Sequence, residues 1–130
     1  MGFRAFGKHL LIDAKKCKSI DCAINIQSFT DDLVSKLNMT KFGDTHIQKF
    51  GETPDVEGYS MFQLIQESNI SAHFCDYDFE MDRDGVKWNN RGSAYIDIFS
   101  CKDYETKIAL DVVQKYFSPQ EIKYKEIERI

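Results

Sequence analysis

Residues 67–101 read ESNISAHFCDYDFEMDRDGVKWNNRGSAYIDIFSC, and the fold turns on how this stretch is read. Asp84-Gly85 stands between two segments that alternate apolar with polar residues, and that dipeptide in that setting is the strongest short-range signal for a β-hairpin. Tyr77, Phe79 and Met81 alternate with acids on the near arm, and a two-residue turn at 84 and 85 sets Met81 opposite Trp88. Carried on without a bulge, the same register puts Ser68 opposite Cys101; a bulge at Gly92 would shift the pairing by one. The prediction is a long antiparallel hairpin whose far end returns Cys101 to Glu67-Ser68.

On the N-terminal side, Gly58 to Gln66 and Thr45 to Phe50 read as two more strands, parted by a loop that holds Gly51 and Pro54. Before them Leu33, Val34 and Leu37 share one helical face, with Thr30 as the candidate N-cap and an end near Asn38. Lys8 to Ala14 is a first strand. On the C-terminal side Asp103 is the candidate cap of a second helix. Its apolar face is Ile108, Leu110, Val112, Val113, Tyr116 and Phe117, and Ser118-Pro119 stops it. Ile122 and Tyr124 then alternate with lysines in a last strand. The order predicts one domain over 1–130, an α+β two-layer sandwich with a largely antiparallel sheet and two helices on one face.

Composition agrees with a single folded domain. The chain has 130 residues, 42% of them hydrophobic and 29% charged, which is enough apolar surface for a core without disulfides or metal. Seventeen basic against twenty-one acidic side chains leave a net charge of −4, so no basic field exists to attract nucleic acid. The apolar run in MGFRAFGKHLLIDA is too short for a signal peptide or a membrane span, and a cytoplasmic protein is expected. Cys17, Cys22, Cys75 and Cys101 include no CxxC pair, so reduced thiols are expected, and with His9, His46 and His73 they lack zinc-ligand spacing. Aligned on Gly85, an EF-hand loop would begin at Glu80 and put Arg91 where a bidentate glutamate is required, which disfavours calcium. No metal is expected.

Neither a Walker A pattern nor GxGxxG occurs, and no G-x-S-x-G surrounds Ser68. What remains is a cluster of Ser60, Glu67, Ser68 and His73, with Cys101 brought back by the hairpin. Spacing alone defines a small α+β domain with a candidate site and no named reaction.

GKHLLIDA from Gly7, QKF at Gln48 to Phe50, ESNISAHF from Glu67, and AYIDIFSC from Ala94 resemble, in that order, the prokaryotic S-adenosylmethionine decarboxylase proenzymes. Glutamate-serine, a histidine five residues after the serine, and a later strand ending in cysteine mark that family's self-processing site. The resemblance implies a pyruvoyl enzyme that makes its cofactor from its own backbone. The Ser68 hydroxyl attacks the Glu67 carbonyl, the amide becomes an ester, and elimination cuts the chain into a β chain of 1–67 and an α chain of 68–130. The new N-terminus at Ser68 loses ammonia and becomes the pyruvoyl group. Its ketone forms a Schiff base with a substrate amine and accepts the electrons released with carbon dioxide, which no amino-acid side chain can do.

Position by position, His73 matches the histidine that moves a proton during ester breakdown, and Ser60 the serine that assists it. Cys101 matches the cysteine that returns a proton to the substrate, a role suited to a tunable thiol. Phe50 matches an aromatic that stacks on adenine, with Phe74 as its candidate partner. The family's threonine-tryptophan-proline-glutamate run after the histidine is replaced by Phe74-Cys75-Asp76-Tyr77, leaving Asp76 or Asp78 to serve as the acid near the ribose. Gln48 replaces a family histidine, and the Ser68 to Cys101 hairpin is longer than usual. The leading expectation is decarboxylation of S-adenosylmethionine for spermidine biosynthesis. The alternatives are a pyruvoyl-dependent ornithine or arginine decarboxylase, or a non-processed binding or regulatory homologue. The resemblance also implies a homodimer of processed αβ units with each site near the interface, and Tyr59 and Met61 are expected on the buried sheet surface.

Overall fold

A computed structural model describes residues 3–89 and 91–129. Along the chain run β1 (Phe3–Lys15), α1 (Ala23–Lys36), β2 (His46–Phe50), β3 (Gly58–Ile65), β4 (Ser68–Cys75), β5 (Asp78–Asp82), β6 (Gly85–Asn89), β7 (Ser93–Lys102), α2 (Thr106–Phe117) and β8 (Glu121–Glu128). Six strands form one sheet in the order β2-β3-β4-β7-β1-β8, every neighbour antiparallel, while β5 and β6 form a separate two-stranded ribbon. The α+β sandwich is therefore as expected.

Alternation along the strands divides the sheet into two unlike faces. Leu10, Ile12 and Ala14 of β1, Ile70, Ala72 and Phe74 of β4, and Ala94, Ile96 and Ile98 of β7 are buried on one side. Both helices cover that side with Ile26, Phe29 and Leu33 of α1 and Ala109, Val113 and Phe117 of α2. Phe29, Phe74 and Phe117 meet at its centre, with ring centroids 4.9 to 6.3 Å apart. The other face carries the intervening residues, among them Ser60, Phe62, Leu64, His73, Tyr95 and Asp97, and no element of the described chain covers it.

Four details of the sequence reading are corrected. Helix α1 starts at Ala23, so Thr30 lies inside it and donates its hydroxyl to the Ile26 carbonyl at 2.8 Å. Cys22 caps it with no side-chain bond, which is why no cap signal marked the true start. Likewise α2 begins three residues after Asp103, with Glu105 as its cap. The tight turn is Arg83-Asp84, since Asp82 pairs with Gly85, whose φ of 117° suits glycine; Met81 accordingly faces Val86. Between ribbon and sheet, two residues separate Cys75 from Asp78 while three separate Asn89 from Ser93, so the ladder bulges beside Gly92. A Cβ on Gly92 would lie 1.7 Å from the Cys75 carbonyl, so the close approach of the strands there requires glycine.

The fourth correction concerns the open face. Met61 is buried against the helices and Tyr59 packs partly on the same core, so neither belongs to the exposed sheet surface. Phe62 and Leu64, one position out of phase, are the exposed apolar residues of β3.

Candidate active site

The site divides into two groups at different levels of the sheet. In the first, Ser60 of β3 pairs with His73 of β4, so their side chains stand together on the open face. The Ser60 Oγ is 3.0 Å from His73 Nδ1. Phe50 at the end of β2 lays its ring beside the imidazole, with centroids 4.2 Å apart and planes inclined by 31°. Desolvation holds the His73 pKa below its ordinary value, so the ring is neutral near pH 7 and one nitrogen can accept a proton. Ser60, Ser71, His73, Tyr95 and Asp97 line an open cavity of about 290 Å³.

The second group surrounds Glu67-Ser68. Ile65 pairs with Ser68 across the two-residue turn Gln66-Glu67, and Ser68 pairs with Ser100 on the other side. Cys101 is thus one position beyond the partner of Ser68: the earlier turn moves the register back by two residues and the bulge beside Gly92 returns one. Its backbone N–H donates to the Glu67 carbonyl at 3.0 Å. Ser68 has a φ of 154°, a region that residues with a side chain rarely adopt and that costs on the order of 1–3 kcal/mol. The Asn69 amide donates to Ser68 Oγ at 3.2 Å. The Glu67 side chain is buried, and its Oε1 accepts the Thr40 N–H at 3.1 Å.

A strained residue, its hydroxyl held by one neighbour, next to a carbonyl polarised by a backbone N–H, is an arrangement suited to acyl transfer within the chain. An N–H aimed at a carbonyl oxygen stabilises the negative charge that grows there when a nucleophile adds. The two groups do not meet within one chain. His73 lies five residues along β4 from Ser68, a separation of roughly 16 Å at about 3.3 Å per residue.

Two predicted binding residues lie elsewhere. Phe74 is fully buried between Phe29 and Phe117, so it is a core aromatic and cannot stack on a ligand at the open face. Asp76 is buried beyond the end of β4, where desolvation raises its pKa and Lys49, 3.4 Å away, opposes the shift. Its parity is that of the helix-covered face, not of His73. Asp78 accepts the Ser93 hydroxyl at the base of the ribbon. Conversely, the sequence reading passed over Tyr95 and Asp97, which alternation in AYIDIFS places beside His73. It also missed Thr40, whose contact is through backbone and leaves no signal in residue type.

Cys101 is half-buried, whereas burial pushes the Cys17 thiol up to about 12 and makes it inert. Among the described residues no group of three or more His, Cys, Asp or Glu could hold a metal ion, and no helix is long and apolar enough to cross a membrane.

No curated protein matches the chain significantly. The crystal structure of the adenosylmethionine decarboxylase from Aquifex aeolicus VF5 is similar with a TM-score of 0.70 and 24% sequence identity, covering 97% of this chain and 92% of that one. At that identity the likeness speaks for the fold. The family model of S-adenosylmethionine decarboxylase matches residues 8–130, taking in every candidate residue from Phe50 to Cys101, and the chain therefore belongs to that family of enzymes.

Proposed function

We propose that this protein is a pyruvoyl-dependent S-adenosylmethionine decarboxylase, which cuts itself between Glu67 and Ser68 and supplies the aminopropyl donor for spermidine biosynthesis. The observation that carries the reading is the geometry at the scissile bond. Ser68 is strained at φ 154°, and the Glu67 carbonyl accepts the Cys101 N–H.

In the cleavage, Ser68 Oγ adds to the Glu67 carbonyl carbon and the C–N bond breaks. The hydroxyl proton ends on the freed amine, leaving an ester. The Cys101 N–H stabilises the oxyanion while it exists. Removal of the Ser68 Cα proton then expels the Glu67 carboxylate. Tautomerisation and hydrolysis by one water release ammonia and leave a keto group at position 68. Relief of the unfavourable φ at Ser68 favours the forward direction.

Residues 68 and 101 would hold the keto group: Cys101 lies one position beyond the strand partner of Ser68, and its thiol is free and half-buried. When present, that group supplies the electron sink that decarboxylation requires. Cys101 holds the proton that returns to the substrate carbon. Phe50 presents an aromatic face to adenine, and the neutral His73 moves the proton during ester breakdown.

Because His73 and Ser60 are five rungs from Ser68, we further propose a homodimer in which open sheet faces stack and the pair from one copy serves the Glu67-Ser68 bond of the other. Exposed Phe62, Leu64 and Ile127 on the uncovered face give that interface its apolar area. Burial of Phe74 removes one of the two expected aromatic walls, which keeps ornithine or arginine as the second substrate class.

Intact-mass measurement tests the first step. The expected products are 1–67 and a 68–130 fragment blocked at its N-terminus, both missing in Ser68→Ala. Release of carbon dioxide from S-adenosylmethionine, and not from ornithine or arginine, tests the second.

A further inference from the structure

The turn that carries the scissile bond is gripped from outside the hairpin by the segment that follows α1. After the left-handed Asn38, the Met39 N–H bonds the Val34 carbonyl and its side chain enters the core, so the segment is anchored at its start. Thr40 then accepts the Gln66 N–H through its carbonyl at 2.9 Å and donates its N–H to Glu67 Oε1 at 3.1 Å. Lys41 forms an antiparallel bridge with Ile65, and the Phe42 N–H reaches the Leu64 carbonyl at 2.8 Å. From the opposite side, the Cys101 N–H holds the Glu67 carbonyl at 3.0 Å. Glu67 is thus held by its side chain from one element and by its carbonyl from another.

We infer that the Glu67 carboxylate is a positioning group for self-cleavage: by accepting the Thr40 N–H it locks the turn to the segment after α1 and fixes the carbonyl carbon that Ser68 attacks. A carboxylate buried to 6% exposure is costly unless hydrogen-bonded, and a turn alone does not require one. A backbone outlier such as Ser68 persists only where its surroundings over-determine it, and the Glu67 anchor supplies one of the two restraints on the residue before it. The inference rests on the self-cleavage reading and adds to it the group that holds the electrophile.

The test uses full-length chains made by cell-free translation, so that every molecule is uncleaved at time zero. Glu67→Gln keeps an oxygen acceptor for Thr40, and Glu67→Ala removes it. Cleavage in Glu67→Ala is expected to slow by about tenfold or more, the scale of one hydrogen bond to a charged group, while Glu67→Gln stays within about threefold of wild type. Hydroxylamine, which cuts an accumulated ester, should not rescue Glu67→Ala, because its block precedes the ester. Thermal unfolding of both changes in a Ser68→Ala background reports whether the precursor is folded at the assay temperature. A folded Glu67→Ala that cleaves at the wild-type rate, or a slow one rescued by hydroxylamine, overturns the inference. Should Glu67→Ala not fold, Glu67→Asp decides: it keeps the charge but falls one methylene short of Thr40, and wild-type cleavage there is equally fatal. A wild-type chain that stays whole refutes the self-cleavage reading itself, a result distinct from any of these.

Discussion

Mixing two inactive variants asks whether the site is shared between chains. Ser68→Ala retains the Ser60–His73 pair, with Oγ and Nδ1 3.0 Å apart, but has no hydroxyl to attack Glu67. His73→Ala retains Ser68 and its strained backbone but lacks the imidazole. Within one chain the two groups are separated by roughly 16 Å of strand, several times the length of a hydrogen bond, so neither variant can cleave alone. When the two are co-expressed in equal amounts and pair at random, about half of the His73→Ala chains find a Ser68→Ala partner in a two-fold dimer. In those dimers one complete site exists, and only the His73→Ala chain is cut. With a different affinity tag on each variant, intact-mass measurement should find about half of the His73→Ala chains as fragments and every Ser68→Ala chain whole. Cleavage of His73→Ala expressed by itself at the wild-type rate would show that the imidazole is not needed. No cleavage in the mixture, with wild type cleaving normally and mixed dimers recovered through both tags, would show that the site does not form in trans.

Cys101→Ser should still cleave, because the Glu67 carbonyl is held by the backbone N–H of residue 101, but carbon dioxide release should fall by about tenfold or more since a hydroxyl is a far weaker acid than a thiol; unchanged turnover would make Cys101 a packing residue. Phe74→Ala in the uncleaved Ser68→Ala background should lose about 3–5 kcal/mol in urea unfolding, the scale for deleting a buried phenyl ring, whereas unchanged stability with raised KM in the cleavable enzyme would restore Phe74 to the substrate site. His73 has a folded pKa below its ordinary 6.5, so below pH 6.5 the unfolded chain takes up a proton that the folded chain resists. Its contribution to stability is therefore complete above pH 6.5 and is lost as pH falls from there toward the lower folded value. In the Ser68→Ala background that loss should be missing in His73→Gln, and an identical pH profile in both would refute the assignment.

The architecture was legible because it follows from short-range patterns. Alternation in HLLIDA and AYIDIFS, the helical spacing of Leu33 and Leu37, and Asp-Gly beside the turn each reflect a local requirement of backbone geometry. Those patterns implied the order of elements, the antiparallel sheet and the return of Cys101 to Glu67-Ser68. Where a boundary had no side-chain marker, as at Cys22 and Glu105, it was missed, by eight residues from Thr30 and by two from Asp103, since the helix is decided there by packing of its later turns.

What sequence could not decide was register and depth. The turn, one residue earlier than read, would by itself set Ser68 opposite Phe99, and a single extra residue beside Gly92 makes the partner Ser100; no local rule counts that residue, because the bulge arises from two strands that meet only in the folded sheet. Phe50 and Phe74 are the same residue type, yet the first lies beside His73 on the open face and the second in the core beneath the helices. Which side an aromatic faces depends on parity along its own strand and on which face the helices cover, a property of the whole sandwich. The amino-acid sequence by itself thus determined the residues able to perform the chemistry. Tertiary structure alone decided which of them share a level of the sheet, because pairing across strands brings together residues far apart in the chain and keeps Ser68 and His73, only five residues apart in β4, from touching.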